Sequence, residues 1–491
     1  MAIDSTVDED CRWDKLSERR EGTLLSPLII QSLKQLESVP LQRIRAAGIW
    51  RDRNNYFLNI SYPSLQAMQV VNPKAVLSTG SPPGPNSVAL YIHIPFCTAE
   101  CHYCHYYKIF AQPSSVVDIY LDMLIRELSL YADYFDGLIA KSIYIGGGTP
   151  SYLTPEQIHR LFKGIARHVE VPNGIEISFE VHPEDGNQEK LEALWDCGIN
   201  RINVGVESFD DEVLKGEHRR HTAADVRELL DIAEGVGFEN VNLDLIYGLR
   251  NQSIRQWETN LNWIAQLRPA SATLYFLRLK RGTPEYKLWK QFPEQFPSDF
   301  DLLLMHVMNF EHLDVELGYK QRPVDWFVRD PKYFHYYQDH NWRLSDEVNL
   351  LGIGASAYSY VDGWQRYNIN DMKRYNEALS KGDAPIWKAE YLTDQEERMR
   401  RTLMLGLKIG IDRSLFCETY GVDALTVDDT TWQKLVELNL VEITPETIEL
   451  TYSGRLFADE IGQQFYSDRM KVRMEALDPE LVSTTWPQFN P

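Results

Sequence analysis

Between residues 88 and about 285, short apolar runs alternate with longer segments of helical period. The runs SVALYIHI (87–94), SIYIGGG (142–148), IEISFEV (175–181), INRINVGVES (199–208), VNLDLIYGL (241–249) and ATLYFLRL (272–279) have strand length and are rich in β-branched and aromatic residues. The segments between them carry apolar residues three and four apart, most clearly SSVVDIYLDMLIRELSLYADYF (114–135). Thr154 and Pro155 open a further helix as N-cap and first helical residue. Strands separated by helices predict a parallel sheet with right-handed crossovers. The fold class is therefore α/β, a partial or full (β/α) barrel, with chemistry at the carboxyl ends of its strands.

The flanks differ from this core. Ser26 to Ala47 has helical spacing, and a Pro/Gly-rich loop follows at 78–87, so 1–87 is expected to be an N-terminal arm. Residues 286–395 are irregular and aromatic, a core extension that includes PKYFHYYQDHNW (331–342). Residues 396–491 carry helices and a terminal hairpin, the pattern of a mainly helical, winged-helix-like domain.

Composition narrows the function classes. A formal net charge of −21 argues against a nucleic-acid partner, which needs a basic footprint. No apolar run approaches the ~20 residues of a membrane span, and the N-terminus lacks an apolar signal region. A cytoplasmic monomer with a small-molecule substrate and no membrane contact is expected. The 6 cysteines do not suggest a disulfide framework.

Three of them, Cys97, Cys101 and Cys104, stand as C-x3-C-x2-C directly after a strand. Thiolates so spaced hold three irons of a [4Fe–4S] cluster and leave the fourth open to a ligand. A zinc site completed by His93, His102 or His105 is the competing reading of these residues. Downstream, Gly146-Gly147-Gly148-Thr149 ends a strand, where glycines let a ligand approach backbone amides. Glu180, Glu207 and Asp244 fall at later strand ends, and Arg219 follows Glu207 by twelve residues. Each taken alone reads more readily as a solvated strand-end charge.

The string Y-I-H-I-P-F-C-x3-C-x2-C resembles the radical S-adenosylmethionine (SAM) superfamily. Within it, the string is similar to the oxygen-independent coproporphyrinogen III dehydrogenase branch, which includes class C methylases and cyclopropanases. The resemblance spans roughly 55–470 and includes L-L-G-I-G-A-S-A-Y-S and R-Y-N. It implies a [4Fe–4S] cluster on the three cysteines and SAM on the fourth iron. It places Gly146, Gly147, Gly148 and Thr149 at the amino group of SAM, with Glu180 as a SAM-binding carboxylate. Arg219 then suits the SAM carboxylate, and Asp244 a ribose hydroxyl. Tyr91 and Tyr103 would pack against cofactor, or serve as ordinary core aromatics. A second SAM, a feature of the branch, would lie near Gly354, Ala355 and Tyr358 in the 286–395 region. A one-electron donor such as flavodoxin or ferredoxin is implied.

Three departures from the branch pattern matter. Tyr106 stands where a further Cys is common, Glu207 where Gln is common, and Arg278 where a small residue is expected. Each changes polarity at the reaction centre, and these three positions become candidate catalytic residues. They favour methyl or cyclopropane transfer from a second SAM to a conjugated substrate. Oxidative decarboxylation of coproporphyrinogen III stands second, and haem carriage through His335 or His340 third. The substrate is expected to be planar, from the crowding of Tyr333, Phe334, Tyr336, Tyr337, Tyr358, Tyr360 and Trp364.

Overall fold

The structure is a computed structural model and describes residues 25–51, 61–65, 67–77, 85–342, 348–392 and 394–475. The acidic N-terminus with Cys11, and much of the segments 54–66 and 78–87, lie outside the described residues. Six strands run parallel and pair in sequence order: β1 (Ser87–Ile94), β2 (Leu138–Gly147), β3 (Glu176–Val181), β4 (Arg201–Glu207), β5 (Asn240–Tyr247) and β6 (Ser271–Phe276). A seventh, β7 (Asn349–Ile353), joins in parallel beside β1. Beyond β7 the sheet continues antiparallel through Tyr358–Val361, Trp364–Asn368 and Ile386–Tyr391. On the other edge Trp326–Val328 pairs antiparallel with β6. No pairing joins the two ends of this sheet among the described residues. The barrel is thus partial, because antiparallel strands cap both of its edges.

The helices that cover the outside begin where the sequence signals them. They are α1 (Ser114–Phe135), α2 (Pro155–His168), α3 (Gln188–Asp196), α4 (Ala223–Val236) and α5 (Ile254–Leu267). Reciprocal capping boxes, Thr154 with Gln157, Thr222 with Asp225 and Ser253 with Gln256, fix the starts of α2, α4 and α5. Val88, Leu90, Ile92 and Ile94 of β1 are fully buried. Each such side chain contributes about 1.5–3 kcal/mol by burial.

The inner face is polar instead. At its amino end Arg201 donates from Nη2 to Ser271 Oγ at 3.0 Å and from Nη1 to Asn240 Oδ1 at 3.1 Å. Asn242 donates to Thr273 Oγ1 at 3.0 Å. This layer closes the floor of the half-barrel and leaves the carboxyl ends for the site. In the C-terminal part, the helices Arg413–Tyr420 and Asp429–Glu437 pack beside a three-stranded antiparallel sheet of Ile411–Asp412, Thr447–Leu450 and Val441–Ile443, a winged-helix-like arrangement. Among the described residues no helix is long and apolar enough to cross a membrane.

Candidate cofactor site at the strand ends

Cys97 ends a two-residue strand, Phe96–Cys97, which pairs in parallel with Ile109–Phe110. That bridge closes the cysteine loop on itself. Inside it, Cys104 N–H donates to Cys101 O at 3.1 Å, and Lys108 Nζ donates to Cys104 O at 2.8 Å. All three thiols are free. Thr149 Oγ1 donates to Cys97 Sγ at 3.5 Å, and Arg219 Nη1 reaches Cys101 Sγ at 3.6 Å. Burial pushes the Cys97 thiol up to about 12 and raises Cys104 as well. Without metal these sulfurs hold their protons; coordination must displace them.

The three glycines are required by the site's own side chains. A Cβ at Gly146 would lie 2.7 Å from Glu180 Oε1, one at Gly147 2.8 Å from the His93 ring, and one at Gly148 2.9 Å from Cys97 Sγ. Gly147 also has φ +124°, a conformation that favours glycine. Its N–H donates to Glu180 Oε2 at 3.1 Å, while Tyr144 Oη donates to Glu180 Oε1 at 2.7 Å. Burial pushes the Glu180 carboxyl up to about 7 despite both donors. His93 beneath Gly147 is tied to Tyr91 Oη at 2.9 Å and to Tyr107 O at 3.1 Å. Burial brings its imidazole down to about 4, so it stands as a neutral pillar.

Glu207 and Arg219 form the opposite wall. Their charged atoms are 3.6 Å apart, with side chains 12% and 8% exposed. Glu207 holds φ +61°, where the ladder between β4 and β5 shifts register. Its neighbour Arg219 also donates to Gly205 O. Tyr103 bonds to Glu207 and packs beside Val213, Leu249 and Leu279, so it joins the wall and the core together. Asp244 accepts from Asn242 at 2.8 Å, and burial with the nearby Glu207 pushes its carboxyl up to about 7. Tyr106 is half-exposed in the cleft, within electrostatic reach of Glu180, Cys104, Tyr358 and Asp244.

The segment after β7 comes alongside. A Cβ at Gly354 would lie 2.7 Å from Tyr120 Oη and 2.8 Å from His93 O. Tyr120 also accepts from Ala355 N–H at 3.0 Å. Glu127, from the middle of α1, accepts from Gly354 N–H at 2.8 Å, Asn368 Nδ2 at 2.8 Å and Tyr375 Oη at 2.5 Å. Sequence reasoning missed Glu127, Tyr120 and Tyr144. The available signal for Glu127 was an acid on the apolar face of a helix.

Two expectations need correction. Of the seven aromatics assigned to a flat-ligand wall, Tyr337 and Tyr358 reach the site, with centroids 6.2 and 6.0 Å from Tyr91. Trp364 stacks on Tyr391, Tyr360 lies under the Arg401 guanidinium, Tyr333 packs on Ala270 and Val328, and Phe334 lies under Arg322. Tyr336 is exposed. Arg278, expected as a catalytic candidate at the reaction centre, pairs with Asp459 of the helix Ala458–Gln464. His335 bonds to Glu176 at 2.9 Å and His340 to Ser142 at 3.0 Å.

Comparison with known proteins decides the family. The radical SAM superfamily model matches residues 91–264, and the HemN C-terminal domain model matches 393–457. The heme chaperone HemW of Lactococcus lactis is 30% identical over 390 residues, covering 78% of this chain and 98% of that protein. The chain belongs to the radical SAM superfamily, in its HemN and HemW group. The oxygen-independent coproporphyrinogen III oxidase of Escherichia coli is 27% identical over 411 residues, 79% of this chain and 87% of that protein. The solved structure of E. coli HemN, a radical SAM enzyme, superposes with a TM-score of 0.73 at 26% identity. It covers 83% of this chain and 96% of its own.

Membership implies a [4Fe–4S] cluster and SAM, and the residues present fit both. Three free thiols share one closed loop, and Gly148 leaves the space beside Cys97 that a Cβ would fill. Arg219 Nε is buried with no hydrogen-bond partner, a donor kept available at the wall. This HemN/HemW-type chain is a radical SAM enzyme.

Proposed function

We propose that this chain catalyses oxygen-independent oxidative decarboxylation of coproporphyrinogen III propionates. The observation that supports this most directly is the agreement with E. coli HemN over 96% of that structure, through core and C-terminal part alike. Each propionate would lose carbon dioxide, one proton and two electrons to become a vinyl group. When bound, the cluster and SAM supply the hydrogen-abstracting radical.

The chain's own residues divide the remaining work. Cys97, Cys101 and Cys104 would hold the cluster. Glu180, with Gly146 to Thr149, would take the amino group of SAM. Arg219 would take its carboxylate, and Asp244 a ribose hydroxyl. Tyr91, Tyr144, Tyr337 and Tyr358 would exclude water from one side. Tyr106 projects into the cleft where substrate would meet these groups. A flavodoxin- or ferredoxin-like protein would deliver the electron.

Methyl or cyclopropane transfer through a second SAM, the reading favoured on sequence, receives no support from the named relatives. Haem carriage is the second reading, favoured by the 30% identity with the L. lactis chaperone. Against it, His335 and His340 already hold protein partners.

The test is anaerobic incubation of cluster-loaded enzyme with SAM, a reductant and coproporphyrinogen III. Vinyl products with matching release of carbon dioxide support the proposal. SAM cleavage without decarboxylation overturns it, and stoichiometric binding of added haem by the same preparation would then favour the carrier reading.

A further inference from the structure

Behind the cysteine loop, three segments meet around a second group of metal-binding side chains. His102 stands between Cys101 and Cys104; Glu217 follows the helix Asp211–Gly216; Glu285 lies in the first turn of the helix Pro284–Gln291. One ligand atom of each lies within 4.8 Å of the other two. The backbone already joins them: His102 N–H donates to Glu217 O, and Glu285 N–H donates to His102 O, both at 3.2 Å.

The polar atoms here are short of partners. Glu217 and Glu285 are each 0% exposed. His102 Nδ1, Glu217 Oε2 and both carboxylate oxygens of Glu285 are buried and receive no hydrogen bond from other groups, the two carboxyls lying within hydrogen-bond reach of each other. The Arg250 guanidinium faces them, with Nε 3.8 Å from Glu285 Oε1, and the Arg250 backbone N–H donates to Glu217 Oε1 at 3.3 Å. Two buried carboxylates against one guanidinium leave one negative charge to be balanced. A proton shared between the two carboxyls would balance it, yet leave His102 Nδ1 idle. A divalent ion carrying one hydroxide in its fourth position balances it as well, and uses all three.

We propose that His102, Glu217 and Glu285 bind a divalent transition-metal ion of the Zn²⁺ class, separate from the iron–sulfur cluster. One imidazole and two carboxylates suit such an ion at about 2.0–2.2 Å. The ion staples the cysteine loop to the wall behind it. It uses no thiol, so it does not compete with the cluster, and the inference holds whichever substrate the enzyme takes.

The test is metal analysis of cluster-loaded enzyme equilibrated with Zn²⁺ and then desalted. One equivalent of zinc beyond the cluster iron is expected, with X-ray absorption at the zinc edge showing nitrogen and oxygen ligands and no sulfur. Glu285→Gln and Glu217→Gln, which keep shape, should each lose the zinc while retaining cluster iron and SAM cleavage. Enzyme that holds no zinc after equilibration overturns the proposal and leaves the proton-sharing pair. Zinc that persists in both glutamine variants, or that carries sulfur ligands, overturns it as well.

Discussion

Arg278 and Asp459, 181 residues apart in sequence, form an ion pair that ties the mouth of the half-barrel to the C-terminal helices. Asp459 also accepts Lys408 Nζ at 2.6 Å, so one carboxylate serves two cations. Arg278→Ala should therefore cost about 1–3 kcal/mol. Asp459→Ala, which strips a counter-charge from both cations, should cost about 3–5 kcal/mol. Denaturant midpoints of the cluster-loaded proteins rank them. A reversed order, or an Arg278→Ala protein of full stability with SAM cleavage uncoupled from product, would return Arg278 to the reaction centre.

Glu180 sets a pH dependence. Its folded carboxyl sits at about 7, raised by burial, while an ammonium ligand needs the ionised form. SAM affinity should fall as pH drops below about 7, approaching tenfold per unit. Asp244, held at about 7 by the same cause, pushes in the same direction. Calorimetric titration at pH 6 and pH 8 measures this, and Glu180→Gln should be weaker and flatter across the range. An affinity independent of pH in the native enzyme would remove Glu180 from the ammonium site.

Gly148→Ala should lower iron retention after reconstitution. The added Cβ would sit 2.8 Å from the Pro95 carbonyl carbon and 2.9 Å from Cys97 Sγ, and the Pro95 backbone has little room to retreat. Gly235→Ala is the control, since its Cβ meets nothing within 4 Å and the position is helical. It should keep full iron and gain about 0.5–1 kcal/mol. Equal iron in both variants would count against the tight packing described here.

Glu127→Ala should destabilise the fold by about 3 kcal/mol, because three buried donors lose their acceptor. It should also weaken SAM binding, although Glu127 lies beneath the Gly354–Ala355 backbone and not at the ligand. Thermal unfolding and SAM titration check the two effects separately. Unchanged binding in a destabilised variant would show that the segment after β7 does not border the cofactor.

The sequence made the strand order and the cofactor face legible, because a parallel strand carries its chemistry at a fixed place, the carboxyl end. The places of Cys97, Gly146, Glu180 and Asp244 at those ends could thus be read in order, while the roles expected of them came from the family resemblance. Whether the barrel closes depends on which strands cap its edges, and Trp326–Val328 does not announce its partner. Long-range pairing was equally opaque: nothing near Arg278 points to Asp459. Glu127 stands on the apolar face of an amphipathic helix, and only the approach of Gly354, Asn368 and Tyr375 gives it a role. The aromatic run misled because the short helix Tyr336–Trp342 turns neighbouring rings in different directions, so that Tyr337 faces the site while Tyr336 is exposed.

The two-residue bridge between Phe96–Cys97 and Ile109–Phe110 bears on how the enzyme is matured. A loop fastened by its own backbone keeps its shape before iron arrives. Cluster assembly is then expected on an already folded protein, with the open cleft as its route of entry. Iron stripped by oxygen is likewise expected to leave a receptacle that refills without unfolding, seen as iron and SAM cleavage regained on anaerobic reconstitution.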